Sequence, residues 1–144
     1  MPKKPRRANR QEILNRNVDI TSVSTRLRVG VDEPREPEPE IEVKPWLELR
    51  GVLNEPLRKT SAVVFSVYAD ARTKVGTARP PATGAIIGAR SAVEAVVSLP
   101  HAEFDRLWSF ALSGHLKHGW FAFTKPHYNS GLVLAVSFLS EREE

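Results

Sequence analysis

Apolar residues recur with a period of two along most of this chain and with a helical period only once. Alternation predicts half-buried β-strands, whereas a stripe with a period near 3.6 predicts one face of a helix. The stripe lies in Pro100–Ser113, with Gly114 as a stop signal. Because about seven alternating segments surround it, the pattern predicts a mainly β fold: an antiparallel β-sandwich or partly open barrel of about seven strands, with one amphipathic helix at residues 100–113.

The predicted strands are alternating segments bounded by turn residues. They are residues 22–31, 46–53, 61–71, 85–89, 92–99, 116–124 and 132–140. In the first of them, Leu27 and Val29 share an inward face, while Arg26 and Arg28 face water. The last two strands flank a turn-rich segment and therefore predict an antiparallel hairpin. Gly51 marks a place in the second strand where a bulge or a closely approaching neighbour is expected.

Two N-terminal segments differ in composition from the rest of the chain. Residues 1–17 are polar and basic, and they predict a disordered tail. Residues 32–45 are rich in Pro and Glu, and they predict an extended acidic connector that forms no ladder pairs. The expected organisation is this tail followed by a single β-sandwich domain at residues 18–144, which includes the connector.

The basic character of the chain belongs to its tail. Six of the 21 Lys and Arg residues lie in Met1–Arg16, which leaves 15 basic against 16 acidic residues in the remainder. The tail residues that could contact a polyanion are Lys3, Lys4, Arg6, Arg7 and Arg10. Such contacts would be salt-dependent and independent of sequence. The competing interpretation is a solubilising terminus without a partner.

No set of residues predicts catalysis, a cofactor or a metal site. The chain has no cysteine, which excludes disulfides and thiolate ligands. His115, His118 and His127 are the histidines that could share a metal ion, but a strand about 30 Å long places His127 far from His115 and argues against such a site. No serine lies in a nucleophile elbow, and the glycines lack phosphate-loop spacing. We therefore expect no enzyme, and the lack of a signal segment or a long apolar run predicts a cytoplasmic protein.

Aromatic residues concentrate around the predicted helix and the strand that follows it. That strand carries large aromatic side chains on both faces, which one sheet interior cannot cover. An uncovered apolar patch is typical of a partner surface. The partner-binding residues predicted on this basis are Phe110, Trp120, Phe121, Phe123 and Tyr128.

The leading hypothesis is a non-enzymatic module that binds another protein or itself, so that a homo-oligomer is one expectation. One alternative is a nucleic-acid-associated accessory protein that uses the basic tail. Another is a small-ligand or carbohydrate binder, for which Trp46 beside Lys44 and Glu48 is the candidate. Substitution of Phe121 or Phe123 by Asp tests the self-association hypothesis, which predicts that association weakens while the domain stays folded.

Overall fold

A computed structural model describes residues 12–31, 33–70 and 82–141. Within these residues the chain forms seven strands and one helix, which confirms the predicted mainly β class. In chain order they are β1 (Ile13–Val31), β2 (Ile41–Leu57), β3 (Thr60–Ala69), β4 (Gly84–Ala89), β5 (Val93–Leu99), α1 (His101–Leu112), β6 (His118–Thr124) and β7 (Gly131–Leu139). The predicted basic residues of the tail at positions 3–10 lie outside the described residues.

The strands form one mixed sheet whose hydrogen bonds close into a ring. The order around the ring is β1-β2-β3-β5-β4-β7-β6, and β6 pairs again with β1. The predicted β6–β7 hairpin is confirmed. One pair, β3 with β5, is parallel where an antiparallel arrangement was expected. The reason is that β4 and β5 form a hairpin that enters the sheet with β5 beside β3, an order that periodicity does not encode.

The inward faces of the strands supply a continuous apolar core. Its largest side chains are Phe65, Phe121 and Phe123, all at most 1% exposed. Phe121 stacks on Phe123 with ring centroids 4.6 Å apart, and it meets Phe65 edge to face at 5.1 Å. Edge-to-face and offset-stacked pairs are the arrangements that aromatic quadrupoles favour. The three phenyl groups therefore join β3 to β6 across the interior of the ring of strands.

Helix α1 begins and ends where the sequence predicts. Its first turn hydrogen-bonds to Pro100, whose carbonyl accepts from the Phe104 amide at 2.9 Å. The chain leaves the helix at Gly114, which has a φ of +80°, a conformation that glycine adopts without a steric penalty. Phe104 and two further residues of the predicted stripe are buried, but Leu112 at its end is 61% exposed.

Two predicted boundaries in the N-terminal third are wrong. Residues 13–17, expected in the disordered tail, belong to β1, because β6 pairs with them from Ile13 opposite Thr124 onward. Residues 41–45, expected in the unpaired connector, belong to β2 and pair with residues 27–31 of β1. A single proline does not prevent this pairing, since Pro45 lies where the strand passes to the edge of the sheet.

The close approach predicted at Gly51 is confirmed. A Cβ at this position would lie 2.5 Å from the backbone oxygen of Asp19 and 2.6 Å from a methyl carbon of Val18. The pairing of β1 with β2 shifts register between Ile20 and Ser22, opposite Gly51. The bulge therefore presses the backbone of β1 against a position where only glycine fits.

Candidate functional site: an amphipathic arm

The longest strand pair extends beyond the ring as a two-stranded ribbon. β6 accompanies β1 only as far as Asp19, and β3 accompanies β2 only from Trp46 onward. Residues 27–31 and 41–45 consequently pair with each other alone among the described residues. We call these two segments, with the turn at residues 33–40 that joins them, the arm. At about 3.4 Å per residue its paired part is about 14 Å long.

One face of the arm is apolar and exposed. Cross-strand pairs place Leu27 opposite Pro45, Val29 opposite Val43, and Val31 opposite Ile41. The side chains of this row other than the proline are between 53% and 71% exposed. The row extends the inward face of β2, in which Leu47 and Leu49 are fully buried. The sequence therefore continues a core-facing pattern into a region where no element of the described chain covers it.

The opposite face of the arm is charged. Arg28 lies opposite Lys44, and the Lys44 ammonium is 2.8 Å from the Glu42 carboxylate. At the base of the arm Arg26 donates to Glu48 at 2.9 Å. This hydrogen bond is the main reason that the pKa of Glu48 lies below its ordinary value of 4.5, and burial opposes it. The Arg26–Glu48 contact ties β1 to β2 on the water-facing side, whereas the Lys44–Glu42 contact lies within β2, and neither covers the apolar face.

The tip of the arm is acidic. Residues 33–40 contain four glutamates and one arginine. The turn begins at Glu33, which has a φ of +47°, and its carbonyl accepts from the Glu36 amide at 3.0 Å. Three prolines keep the rest of this segment out of the ladder. The expected acidic Pro/Glu segment is thus real, but it is shorter than predicted and forms the end of a hairpin.

The aromatic partner surface predicted from the sequence does not form. Phe121 and Phe123 are fully buried in the ring, because they occupy the inward face of β6. They cannot contact a partner without unfolding, so their assignment is wrong. Phe110 and Trp120 are half-buried, and Tyr128 is 87% exposed. Phe110 precedes β6 whereas Tyr128 follows its far end, so the strand separates them.

The remaining sequence candidates lie apart from the arm's apolar face. Trp46 stacks on Tyr68 with centroids 5.8 Å apart, and both are half-buried. His118 contacts the Asp19 carboxylate at 2.9 Å. The described residues contain no group of three or more His, Asp or Glu side chains placed to hold a metal. They also include no helix that is both long and apolar enough to cross a membrane.

The signal for the arm was present in the sequence. Leu27, Val29 and Val31 alternate with polar residues, and Ile41 and Val43 do the same after the Pro/Glu segment. Alternation alone does not say whether the apolar face is covered. Comparisons with protein-family models, with curated proteins and with solved structures found no match to this chain.

Proposed function

We propose that this protein is a non-enzymatic self-association module whose arm docks onto a second copy of the chain through its apolar face. The observation that carries the proposal is the unbroken row of exposed apolar side chains on both strands of the arm. A two-stranded ribbon that is packed on nothing is marginally stable in water. Contiguous apolar surface of this kind is typical of an interaction site.

The size of the apolar row sets the strength expected of such a contact. Complete burial of one aliphatic side chain contributes about 1.5–3 kcal/mol. Five side chains that are already about 40% covered would then contribute roughly 5–9 kcal/mol. Association itself costs an estimated 4–15 kcal/mol. The row alone therefore supports a weak contact, and a second, electrostatic contribution is needed for a stable one.

The charge of the chain supplies that contribution and favours a second copy as the partner. Residues 33–42 contain five glutamates and one arginine, whereas the whole chain has a net charge of +4. The remainder of any second copy therefore has a net charge of +8, of which residues 1–16 contribute +5. The acidic tip is attracted to it, and complementary charge steers the encounter and sets its orientation.

Paired substitutions on the two faces of the arm test the proposal. Val29→Thr with Val43→Thr keeps the β-branched shape of a cross-strand pair and makes its face polar. Arg28→Thr with Lys44→Thr is the matched control, since this pair is the next one along the ribbon and lies on the other face. Sedimentation velocity over a concentration series of the full chain measures association.

We expect the wild-type chain to self-associate and the valine variant to associate at least about tenfold more weakly, because burying unpaired hydroxyls is unfavourable. The control should keep or strengthen its association, because it leaves the apolar row intact and removes two positive charges from the acidic arm. At protein concentrations low enough to keep all three chains monomeric, circular dichroism should show the same thermal midpoint, since both pairs are exposed. A wild-type chain that stays monomeric at several hundred micromolar contradicts the proposal, and so does a valine variant that associates like the wild type.

A further inference from the structure

The turns at the end of the ring opposite the arm lie side by side. Arg58, in the β2–β3 turn, donates to the Pro126 carbonyl at 2.8 Å and to the Asn129 amide oxygen at 3.2 Å. The Thr60 hydroxyl donates to the Ser91 carbonyl at 3.1 Å, which joins the same turn to the one between β4 and β5. β1 starts at this end, opposite Thr124. We call this end the rim.

The rim presents exposed positive charge. Its basic side chains are Arg58, Lys59, Arg90 and Lys125. Lys125 is 3.6 Å from the Glu12 carboxylate, which leaves this pair loosely held. Lys59 and Arg90 are exposed and form no ion pair with any described residue. The exposed carboxylates of Glu12, Glu55 and Glu94 lie at the same end, which leaves the rim a small excess of positive charge to which an acidic segment is attracted.

Exposed apolar side chains also lie at this end of the ring. Ile13, at the start of β1, is 62% exposed, and Ile87, near the end of β4, is 61% exposed. Tyr128 is 87% exposed and has a φ of +50°, a conformation that a tyrosine rarely adopts. The rim thus combines apolar and basic groups, whereas the arm at the other end combines apolar and acidic groups.

We propose that self-association is head to tail: the arm of one copy docks onto the rim of the next. This inference rests on the proposed function and names its acceptor surface. The glutamates of the tip face Lys59 and Arg90, and the apolar row of the arm covers Ile13 and Tyr128. Because each copy carries one arm and one rim at opposite ends, the contact is heterologous and builds open chains or closed rings.

A symmetric contact between two arms is the competing geometry. The five partly exposed aliphatic side chains present roughly 500 Å² on each copy, so a symmetric contact buries about 1,000 Å² in total, which is less than the about 1,200–2,000 Å² of stable specific interfaces. The head-to-tail contact adds the tip and the rim turns to the buried surface. It also brings opposite charges together, while the symmetric contact leaves both acidic tips without a basic partner surface.

Mixing two defective variants distinguishes the geometries. The arm variant is Val29→Thr with Val43→Thr, and the rim variant is Lys59→Glu with Arg90→Glu. In a head-to-tail contact each is impaired alone, but the intact arm of the rim variant binds the intact rim of the arm variant. Sedimentation velocity should then show a 1:1 heterodimer in the mixture that does not grow further, because neither open end is functional.

Several results would overturn the head-to-tail contact. A rim variant that self-associates like the wild type, or a mixture without heterodimer, excludes the rim as acceptor, while the proposed function stands if the arm variant alone is impaired. A monomeric wild type contradicts both proposals. As a second measurement, Glu36→Lys and Glu38→Lys are added to the rim variant. The tip of the arm is then basic and the rim acidic, so that self-association should be restored, and failure to restore it argues against the assigned contact.

Discussion

Phe121→Ala gives the strongest test of where the core lies. Phe121 is fully buried, stacks on Phe123 and meets Phe65 edge to face. Truncation removes the ring and leaves a cavity between two strands that are held by their own hydrogen bonds. Such a cavity cannot collapse freely, so the loss includes both the transfer free energy of the ring and the cavity term.

The expected loss of unfolding free energy is about 3–5 kcal/mol, the usual range for Phe→Ala in a core. The two aromatic contacts, each worth about 0.5–1.5 kcal/mol, place it in the upper part of that range. For a domain of this size 1 kcal/mol corresponds to about 4 °C in the thermal midpoint. Phe121→Ala should therefore lower the midpoint by about 16–20 °C.

Urea and thermal unfolding followed by circular dichroism measure this loss. Trp120→Ala is the matched control, because this neighbouring residue is half-buried on the outer face of β6. Its expected loss is about 1–2 kcal/mol. A loss below about 1 kcal/mol for Phe121→Ala, or a larger loss for Trp120→Ala, refutes the placement of Phe121 at the centre of the core.

Three further predictions concern the backbone and the charges. Gly51→Ala should lower the unfolding free energy by at least about 2 kcal/mol because its Cβ meets the Asp19 backbone oxygen, whereas Gly30→Ala, with open space around it, should change it by less than about 0.5 kcal/mol; urea unfolding compares the two. Since the folded-state pKa of Glu48 is lowered, its ion pairs stabilise the fold fully above pH 4.5 and lose this effect as the pH falls through the folded-state pKa. The exposure of both arginine partners limits the effect to under about 1 kcal/mol, and Glu48→Gln should remove it from urea midpoints measured between pH 3 and 6. Tyr128→Asn should raise the thermal midpoint by an amount equivalent to about 1 kcal/mol, because asparagine tolerates a positive φ better; an unchanged midpoint would show that the turn is unstrained.

Elements whose signals are local could be predicted from the sequence. Helix α1 is specified by an apolar stripe and by Gly114, all within 15 residues, and its bounds agree with the structure to within one residue. The same holds for the inward faces of β3 and β5, where Val63, Phe65 and Val97 are buried as alternation indicates. Local periodicity and capping determine these features before any tertiary contact forms.

Features that depend on distant partners could not be predicted. Residues 13–17 show no alternation of apolar and polar residues in isolation, and they form a strand because β6 supplies the hydrogen bonds. The parallel pairing of β3 with β5 depends on which strands become neighbours, which no single segment encodes. The prediction that β6 forms a partner surface was wrong for a related reason. The two phenylalanines of β6 point inward and fill the interior of a closed ring of strands, so that Trp120 is the one large aromatic residue of this strand on the outer face.

The arm shows how the same pattern can have two physical outcomes. Leu47 and Leu27 belong to neighbouring strands and face the same way, yet one is fully buried and the other is 64% exposed. The difference is that the ring encloses Leu47, whereas the ribbon has already left the ring at Leu27. An exposed apolar side chain that faces in the same direction as the core residues is stabilised when another molecule buries it and removes it from water. Because the arm ends in an acidic tip and the far end of the same molecule combines basic and apolar groups, a second copy is the cover that we propose, and its own arm would then remain free for a third.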